Sequence, residues 1–427
     1  MNLIIILIFI IGYILIAAEH FNKINKAAIA LFTGVLCWTV YIHYAIDKEV
    51  VSEELIKNLG EISGVLFFLL GAMTIVELVD AHDGFDIITN RIIETDKRKL
   101  LWIIGFITFF LSALLDNLTT TIVVISLLRK LIRDSKDRLF FTGIVIIAAN
   151  AGGAWSPIGD ITTTMLWIGG QITVVNIITK LILPSLLCIL IPLIILSLRL
   201  NGKIERPQKE VKISSNALPY TQKAVVFFSS VLILILVPVF KSVTHLPPFM
   251  GMLIGLALLW IMTEIIHGKK DEENKHNLSI VFALRKIDTP SILFFLGILL
   301  SVDALQTIGA LTDLSSWMTE NIHNENIIVI SIGMISSIFD NVPLVAATQG
   351  MYSLSQYPAD HYFWEFLAYC AGTGGSVLII GSAAGIAAMG VEKINFFWYL
   401  KNISLLALIG YLSGAFMYIL QHQIFGL

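Results

Sequence analysis

The sequence predicts an all-α polytopic membrane protein with inverted-topology repeats, each containing a re-entrant helical hairpin and a discontinuous helix. Of the 427 residues, 56% are hydrophobic and only 14% are charged, against roughly 25% charged residues in soluble domains. The mean hydropathy is +0.84. The sequence has no basic patch interleaved with aromatics of the kind that binds nucleic acid. Its three cysteines lie in apolar segments without metal-ligand spacing.

Hydrophobic segments long enough to cross or half-cross a bilayer recur along the whole chain. They cover residues 3–18, 27–45, 62–79, 100–115, 117–132, 139–168, 173–199, 222–240, 249–266, 290–306, 326–352, 361–391 and 395–420. Charged linkers at 201–220 and 267–289 separate them into groups. The expected parts are N-terminal scaffold helices in 1–60, a first repeat in 61–200, linkers with two connecting helices in 201–288, and a second repeat in 289–427.

Two apolar stretches carry an Asp-Asn pair at their centre, where one continuous membrane helix would be apolar. An ionisable side chain at mid-membrane costs roughly 2.5–3.5 kcal/mol on insertion scales. Basic residues flank the first stretch on both sides, so both of its ends belong on one face. Each stretch therefore predicts a re-entrant hairpin whose polar tip lies where protein or a wet cavity surrounds the backbone. The hairpins are 100–132, with Asp116-Asn117, and 326–352, with Asp340-Asn341.

The distribution of basic residues predicts an orientation in the membrane. With the N-terminus outside and both hairpins re-entrant, 24 of the 28 Lys and Arg lie on the cytoplasmic side, as the positive-inside rule favours. Lys48, Lys57 and Lys241 lie outside, and Lys180 lies within a helix. This arrangement predicts ten full crossings, both termini outside and a Glu-rich outer loop at 46–61. The first hairpin then enters from the cytoplasm and the second from the outside.

An internal repeat relates the two halves of the chain. Residues 65–71 resemble 292–297, and the two Asp-Asn pairs occupy matching places. When one gap is allowed, Glu77 aligns with Asp303. The glycine-rich run that ends in Gly159-Asp160 matches the run that ends in Gly381-Ser382. Since the first half starts outside and the second inside, the repeats are inverted. In transporters of this architecture the binding site lies at the midplane, between discontinuous helices.

Four polar elements are expected to meet at the centre: the two hairpin tips and the glycine-rich breaks in the discontinuous helices 139–168 and 361–391. The break glycines permit unusual backbone angles and are Gly152, Gly153, Gly374 and Gly375. The candidate cation- and proton-binding side chains supply carboxylate, amide and hydroxyl groups: Asp116, Asn117, Thr119, Thr120, Asn150, Asp160, Thr162, Thr163, Asp340, Asn341 and Ser382. No Lys or Arg lies in these elements, and no Cys or His set suits a softer metal. The pattern favours a small cation, a proton, or both in competition.

Three further titratable residues are candidates for a proton relay or for pH sensing: Glu77, His82 and Asp303. Histidine titrates near neutral pH. Helix-end acids that extend to the interface, and a histidine in a solvated amphipathic segment, would explain these residues equally well.

In the polar segments around the two Asp-Asn pairs and the two helix breaks, the chain resembles the NhaD-type sodium/proton antiporters of the ion transporter superfamily. The resemblance rests on residues 115–121, 150–163, 339–343 and 372–382 and covers most of the chain. It implies exchange of Na⁺ or Li⁺ for H⁺ across the bacterial inner membrane, with Na⁺ at Asp116, Asp160 and Asp340. It also implies a homodimer, with a scaffold part and a mobile part that holds both hairpins. Dicarboxylate carriers of the superfamily look similar but carry Ser-Asn-Thr-type tips instead of Asp.

Three functional interpretations compete. The first is a cation/proton antiporter, with no cofactor beyond the transported ions. The second is a Na⁺-coupled carrier of an organic anion or arsenite. The third is a membrane enzyme or channel. No nucleophile-base pattern lies in a membrane segment, and a channel does not require inverted, discontinuous halves. The sequence therefore favours a non-enzymatic transporter.

Overall fold

The structure is a computed structural model that describes residues 2–17, 23–89, 92–206, 218–268, 278–322, 324–338 and 340–425. Twenty α-helices lie in these ranges. The first ten are α1 Asn2–Ala17, α2 Lys26–Tyr44, α3 Lys48–Ala81, α4 Asp86–Thr89, α5 Lys97–Ser112, α6 Asn117–Leu131, α7 Ser135–Ala154, α8 Ile161–Ile168, α9 Val174–Arg199 and α10 Tyr220–Thr244. The others are α11 Pro248–His267, α12 Ile280–Lys286, α13 Thr289–Thr307, α14 Ala310–Ile322, α15 Glu325–Ile335, α16 Asn341–Met351, α17 Tyr362–Gly374, α18 Ala383–Glu392, α19 Phe396–Asn402 and α20 Ser404–Phe425.

The prediction of an all-α polytopic membrane protein is confirmed. Seven helices in the described ranges are long and apolar enough to cross a membrane: α2, α3, α9, α10, α11, α13 and α20. Each falls on one of the predicted full crossings. The remaining three predicted crossings correspond to α1, which has 16 residues, and to the interrupted pairs α7–α8 and α17–α18. Parts of the predicted linkers, residues 207–217 and 269–277, lie outside the described residues, as does Phe339 beside the second Asp-Asn pair.

Several predicted boundaries were wrong. The expected outer loop at 46–61 is mostly helical, because α3 begins at Lys48 and runs for 34 residues. The Asp47 side chain caps it by accepting hydrogen bonds from the N–H groups of Glu49 and Val50, an N-cap arrangement that stabilises a helix whatever the polarity of its first turns. The predicted span 395–420 is divided near Ile403 between α19 and α20. The sequence prediction also omitted α12 and the amphipathic helix α14.

Equivalent hydrogen bonds join corresponding helices in the two halves. The Ser112 hydroxyl, at the end of α5, donates to the Ala149 carbonyl of α7 over 2.6 Å. The Ser336 hydroxyl, just after α15, donates to the Ala371 carbonyl of α17 over 3.0 Å. Each serine lies four residues before the Asp of its Asp-Asn pair. Both bonds therefore fix the first helix of a hairpin against the first half of a broken helix.

The second helices of the two hairpins pack across the halves. Helix α6 lies against α18 of the second half, and α16 lies against α8 of the first half, while α7 contacts α17 and α9 packs along α20. The reciprocal packing brings the helix breaks and the hairpin turns of both halves into one region.

Glycines permit this close approach. A Cβ on Gly152 would overlap the backbone carbonyl oxygen of Phe109, and a Cβ on Gly374 would overlap that of Gly333. Phe109 and Gly333 lie in α5 and α15, so the contact again has the same form in both halves. Small residues at helix contacts let backbones approach in this way inside membranes.

We predict that Gly152→Ala and Gly374→Ala each destabilise the protein by about 1–3 kcal/mol, the usual cost of overpacking. Thermal unfolding of the detergent-purified variants measures the effect. Gly390→Ala is the matched control, because a Cβ at this helical glycine meets open space and alanine favours the helix. Equal melting temperatures for Gly152→Ala, Gly390→Ala and the unmodified chain would contradict the close-approach explanation.

Candidate cation-binding site

Four helices begin around one point inside the protein. Asp116 caps α6, Asp160 caps α8, Asp340 caps α16 and Ser382 caps α18, each with a side-chain oxygen that accepts a backbone N–H. A cavity of about 60 Å³ lies among these helix starts and is lined by all three aspartates. The sequence predicted these elements as separate polar strings, and the fold brings them together.

Asp160 lies between the two hairpin turns. Its Oδ1 accepts the N–H of Thr162 over 3.1 Å. Its Oδ2 accepts the side-chain amides of Asn117 and Asn341, each over 3.4 Å. The residue is 1% exposed. One carboxylate thus contacts both Asp-Asn pairs, one from each half of the chain.

A second set of polar contacts extends from the same point. The Asn117 amide also donates to Asn150 Oδ1 over 3.2 Å. The Asn150 amide in turn donates to the Ser382 hydroxyl over 3.0 Å. This chain of bonds connects the first hairpin, the first broken helix and the second broken helix. All of its members belong to the set that the sequence predicted.

The threonines of the predicted set lie close by but have different roles. Thr119 binds Asp116 twice, through its N–H at 2.8 Å and its hydroxyl at 2.6 Å. The Thr163 hydroxyl donates to the Ala154 carbonyl across the helix break. The Thr120 hydroxyl is buried and has no hydrogen-bond partner among the described residues. Thr119 therefore acts on a candidate ligand, whereas Thr163 supports the backbone.

The glycines of the breaks pack against the cap residues. A Cβ on Gly153 would press on the Gly159 carbonyl and on Asp160, and a Cβ on Gly375 would press on the Gly381 carbonyl and on Ser382. Each glycine thus lets the chain fold back on itself beside its cap residue.

Sequence reasoning missed a positively charged side chain at the site. The four polar elements contain no Lys or Arg, but Lys26, from the start of α2, places its ammonium 3.2 Å from Asp340 Oδ2. Lys26 also lines the central cavity. The sequence pattern gave no signal for this contact, because a lysine just before an apolar segment is ordinarily a topology anchor.

The three candidate relay residues lie away from the central cavity. Glu77 pairs with Lys286 over 3.3 Å. Asp303 accepts a hydrogen bond from Asn58 over 2.8 Å, near the other end of α3. Positions 58 and 77 are nineteen steps apart along the helix, or about 28 Å at 1.5 Å per residue. The aligned acids Glu77 and Asp303 therefore do not meet.

His82 is fully buried and forms a pair that the sequence did not predict. Its Nε2 lies 2.8 Å from Nε2 of His267, and its Nδ1 lies 2.8 Å from the Leu78 carbonyl. The pair joins the ends of α3 and α11. The alternative of a solvated histidine is therefore wrong, because α11 covers the side chain.

A second cavity, of about 250 Å³, leads toward the first. It shares Met73 and Leu118 with the central cavity and reaches Thr119. Most of its charged lining residues are acidic: Glu77, Asp80, Asp83, Asp86 and Asp288, with Lys130 and Lys286. It gives a polar approach to Asp116.

Comparison with known proteins shows the family to which this chain belongs. The family model described as "CitMHS: Citrate transporter" matches residues 6–364. Sodium/proton antiporters 1 and 2 of Arabidopsis thaliana are 49% and 46% identical over 420 residues, which is 98% of this chain and 72% and 99% of those proteins. The Na(+)/H(+) antiporter NhaD of Vibrio cholerae is 31% identical over 458 residues, 98% of this chain and 92% of that protein. The chain belongs to the CitMHS family and is an NhaD-type transporter.

In this NhaD-type chain the site offers carboxylate and amide oxygens, the ligand chemistry that hard cations prefer. The described ranges contain no group of three or more His, Cys, Asp or Glu that could hold one metal ion together. A transported cation would therefore need amide, hydroxyl or backbone oxygens in addition to carboxylates. The position of Na⁺ at Asp116, Asp160 and Asp340 stays a prediction.

We predict that Asp160→Asn lowers stability by about 1–3 kcal/mol, the cost of leaving buried hydrogen-bonding groups unsatisfied. The new amide has one acceptor oxygen for three donors that the carboxylate now satisfies. Thermal unfolding in Na⁺-free detergent solution measures the loss. Asp313→Asn, at an exposed position of α14, should melt like the unmodified chain. An unchanged melting temperature for Asp160→Asn would mean that the amide bonds contribute nothing.

Proposed function

We propose that this chain is a secondary active transporter that exchanges Na⁺, or Li⁺, for H⁺ by alternating access. The observation that carries the proposal is the small cavity lined by Asp116, Asp160 and Asp340. The relatives named sodium/proton antiporters, which align along almost the whole chain, support it. Exchange of this kind converts no substrate into a different compound, so we propose a transporter without enzymatic activity whose small partners are Na⁺ or Li⁺ and H⁺.

The proposed coupling is competition for the same carboxylates. An ionised carboxylate binds Na⁺ and a protonated one does not, so each cation that enters can displace a proton. The amides of Asn117 and Asn341 hold Asp160 in place from both hairpins.

A second candidate function is a Na⁺-coupled carrier of an organic anion or arsenite. The description of the matching family model as a citrate transporter favours it, and so does Lys26 at the cavity. Charge argues against an organic anion. The cavity is lined by Asp116, Asp160 and Asp340 and by one cationic side chain, Lys26. Three carboxylates facing the cavity would repel a polycarboxylate such as citrate.

The experiment that separates the two functions uses purified protein in proteoliposomes with an internal pH dye. Addition of NaCl or LiCl without any organic substrate should move protons under the proposed function. With an organic-anion carrier, the dye should show no pH change until an anion such as citrate is added. Choline chloride is the control for ionic strength.

We also propose a location and an orientation: a bacterial inner membrane, with both termini periplasmic and with inverted repeats. The support for the orientation is that hydrogen bonds and ion pairs join helix ends which the distribution of Lys and Arg assigns to the same side of the membrane. On the proposed outer side these contacts are Asn58–Asp303, Gln171–Gln349 and Thr173–Asp360. On the proposed cytoplasmic side they are His82–His267, Arg138–Glu392 and Thr95–Ile204.

The cavity of about 250 Å³ then opens toward the cytoplasm. We propose that cytoplasmic Na⁺ approaches Asp116 through it, past Glu77 and the other acids. The His82–His267 pair lies at the cytoplasmic ends of α3 and α11, where it is a candidate for pH sensing. Asp303 lies at the outer end of α13 and is a candidate for proton exchange on that side.

Quaternary and domain organisation remain proposals. The family resemblance implies a homodimer, with the helices of 1–60 in the scaffold part and both hairpins in the mobile part. The extensive packing of α2 along α13 supports a scaffold that also includes part of the second half.

We predict that Asp116→Asn and Asp340→Asn each lower Na⁺-dependent proton flux by roughly a hundredfold or more, because an amide cannot exchange a proton for a cation. Flux per milligram of reconstituted protein measures the loss, with membrane abundance as the check on folding. Asp313→Asn should retain flux. Near-normal flux in either cavity variant would remove that aspartate from the proposed site.

A second prediction concerns pH. At pH values low enough to protonate the competing carboxylates in the ion-free protein, Na⁺ must displace protons in order to bind. In that range the apparent KM for Na⁺ should rise about tenfold for each unit by which the pH falls, per proton displaced. Initial flux at a series of pH values gives the slope. Asp160→Asn should flatten the slope if Asp160 belongs to the competing set, and should leave it unchanged if Asp160 only supports the helix break. A KM independent of pH in the unmodified chain would exclude shared-site competition.

A third prediction tests the orientation. A phosphatase fused after residue 427, which lies outside the described residues, should be active because the C-terminus is proposed to be periplasmic. Fusions at residues 205 and 272 should be inactive, since both linkers are proposed to be cytoplasmic. Residue 272 also lies outside the described residues. The opposite pattern would refute the inverted arrangement, because the hairpins could then not enter from the proposed sides.

A further inference from the structure

Lys26 contacts Asp340, a candidate cation ligand. The proposed exchange gives this lysine no role. It is the first residue of α2, which Asn25 caps through the N–H of Ala27. Its ammonium lies 3.2 Å from Asp340 Oδ2, with side-chain exposures of 22% and 16%, and 4.4 Å from the centre of the Phe294 ring. A lysine at a helix start usually extends its charge toward the lipid headgroups. This one extends toward the second hairpin turn.

The three cavity aspartates differ in their partners. Asp116 is held by the N–H and hydroxyl of Thr119, and Asp160 is held by amide N–H groups. These donors are neutral and leave the negative charge in place for a cation. Asp340 accepts one neutral backbone N–H, but its other oxygen faces an ammonium. A cation that needs this oxygen must therefore replace the ammonium.

We propose that Lys26 is a tethered competitor for the transported cation: its ammonium occupies Asp340 when Na⁺ is absent and leaves when Na⁺ binds there. This rests on the proposed function, because it takes the central cavity as the Na⁺ site. A tethered group competes at a high effective concentration, so Lys26 sets the Na⁺ concentration at which the site fills. The Phe294 ring gives the displaced ammonium a partner, because aromatic faces attract cations.

Displacement would also change how the hairpin is held. The pair Lys26–Asp340 joins the turn of the second hairpin to α2, and α2 packs along α13. Loss of this pair on Na⁺ binding removes an ionic link between the hairpin and these helices. Lys26 thus couples occupancy of the site to the attachment of one hairpin, in addition to setting affinity.

Equilibrium binding of radioactive Na⁺ to purified protein in detergent tests the proposal without requiring transport. Lys26→Gln removes the competitor and should tighten Na⁺ binding roughly tenfold, the effect of one interaction between partly buried charges. Lys26→Arg should weaken binding severalfold, because a guanidinium holds a carboxylate through two N–H groups. Lys23→Gln is the matched control, since Lys23 lies three residues away and is exposed. It should bind Na⁺ like the unmodified chain.

The opposite shifts in the two Lys26 variants exclude a purely structural role. If Lys26 only braced the fold, Lys26→Arg would restore unmodified affinity and Lys26→Gln would bind Na⁺ less well or equally, and either result overturns the proposal. If Lys26→Gln fails to fold, weakened binding by monodisperse Lys26→Arg supports the proposal and unchanged binding rejects it. In an Asp340→Asn background, Lys26→Gln should add no further tightening, because the site of competition is gone.

Failure of the proposed function gives a different pattern. If the unmodified chain binds no Na⁺, or if Asp116→Asn and Asp160→Asn both bind it normally, the central cavity is not the Na⁺ site. If the unmodified chain binds Na⁺ and the aspartate variants do not, while Lys26→Gln keeps unmodified affinity, only the role of Lys26 is wrong.

Discussion

The structure depends on one constraint: helices that begin inside a membrane protein need acceptors for their first N–H groups, and no bulk water is available to supply them. Asp116, Asp160, Asp340 and Ser382 supply these acceptors for the four helices that start around the central cavity. Three of the four caps are carboxylates, which also interact favourably with the positive end of a helix dipole. The groups that satisfy the backbone are thus the groups proposed to bind the transported cation.

Serine hydroxyls tie the hairpins to the broken helices near the same region. Hydroxyl groups of Ser112 and Ser336 donate to carbonyls in the broken helices, once in each half. These bonds are short enough to form because Gly152 and Gly374 allow the neighbouring backbones to touch. Backbone satisfaction and close packing therefore support each other, and this is why the glycines and serines occur at equivalent places in the two halves.

Charge around the cavity is arranged asymmetrically although the backbone contacts are similar. Asp160 bonds to both hairpins through neutral amides, while its counterpart in the second half is Ser382, which has no charge. Among the described residues, Asp340 is the one cavity aspartate that has an ionic partner, Lys26. A fully symmetric set of caps would place a fourth carboxylate among the four helix starts, where the Ser382 hydroxyl adds no charge.

The sequence by itself determined the class of fold, the polar strings and their order. Hydrophobic length and the position of Asp-Asn pairs are local properties, and the membrane makes them decisive because an unpaired charge there is costly. Only the tertiary structure decided which groups meet. Lys26 reaches Asp340 across 314 positions of sequence, His82 finds His267, and the aligned acids Glu77 and Asp303 lie far apart. Periodicity and composition describe one segment at a time, whereas these pairings depend on how helices distant in the chain pack side by side.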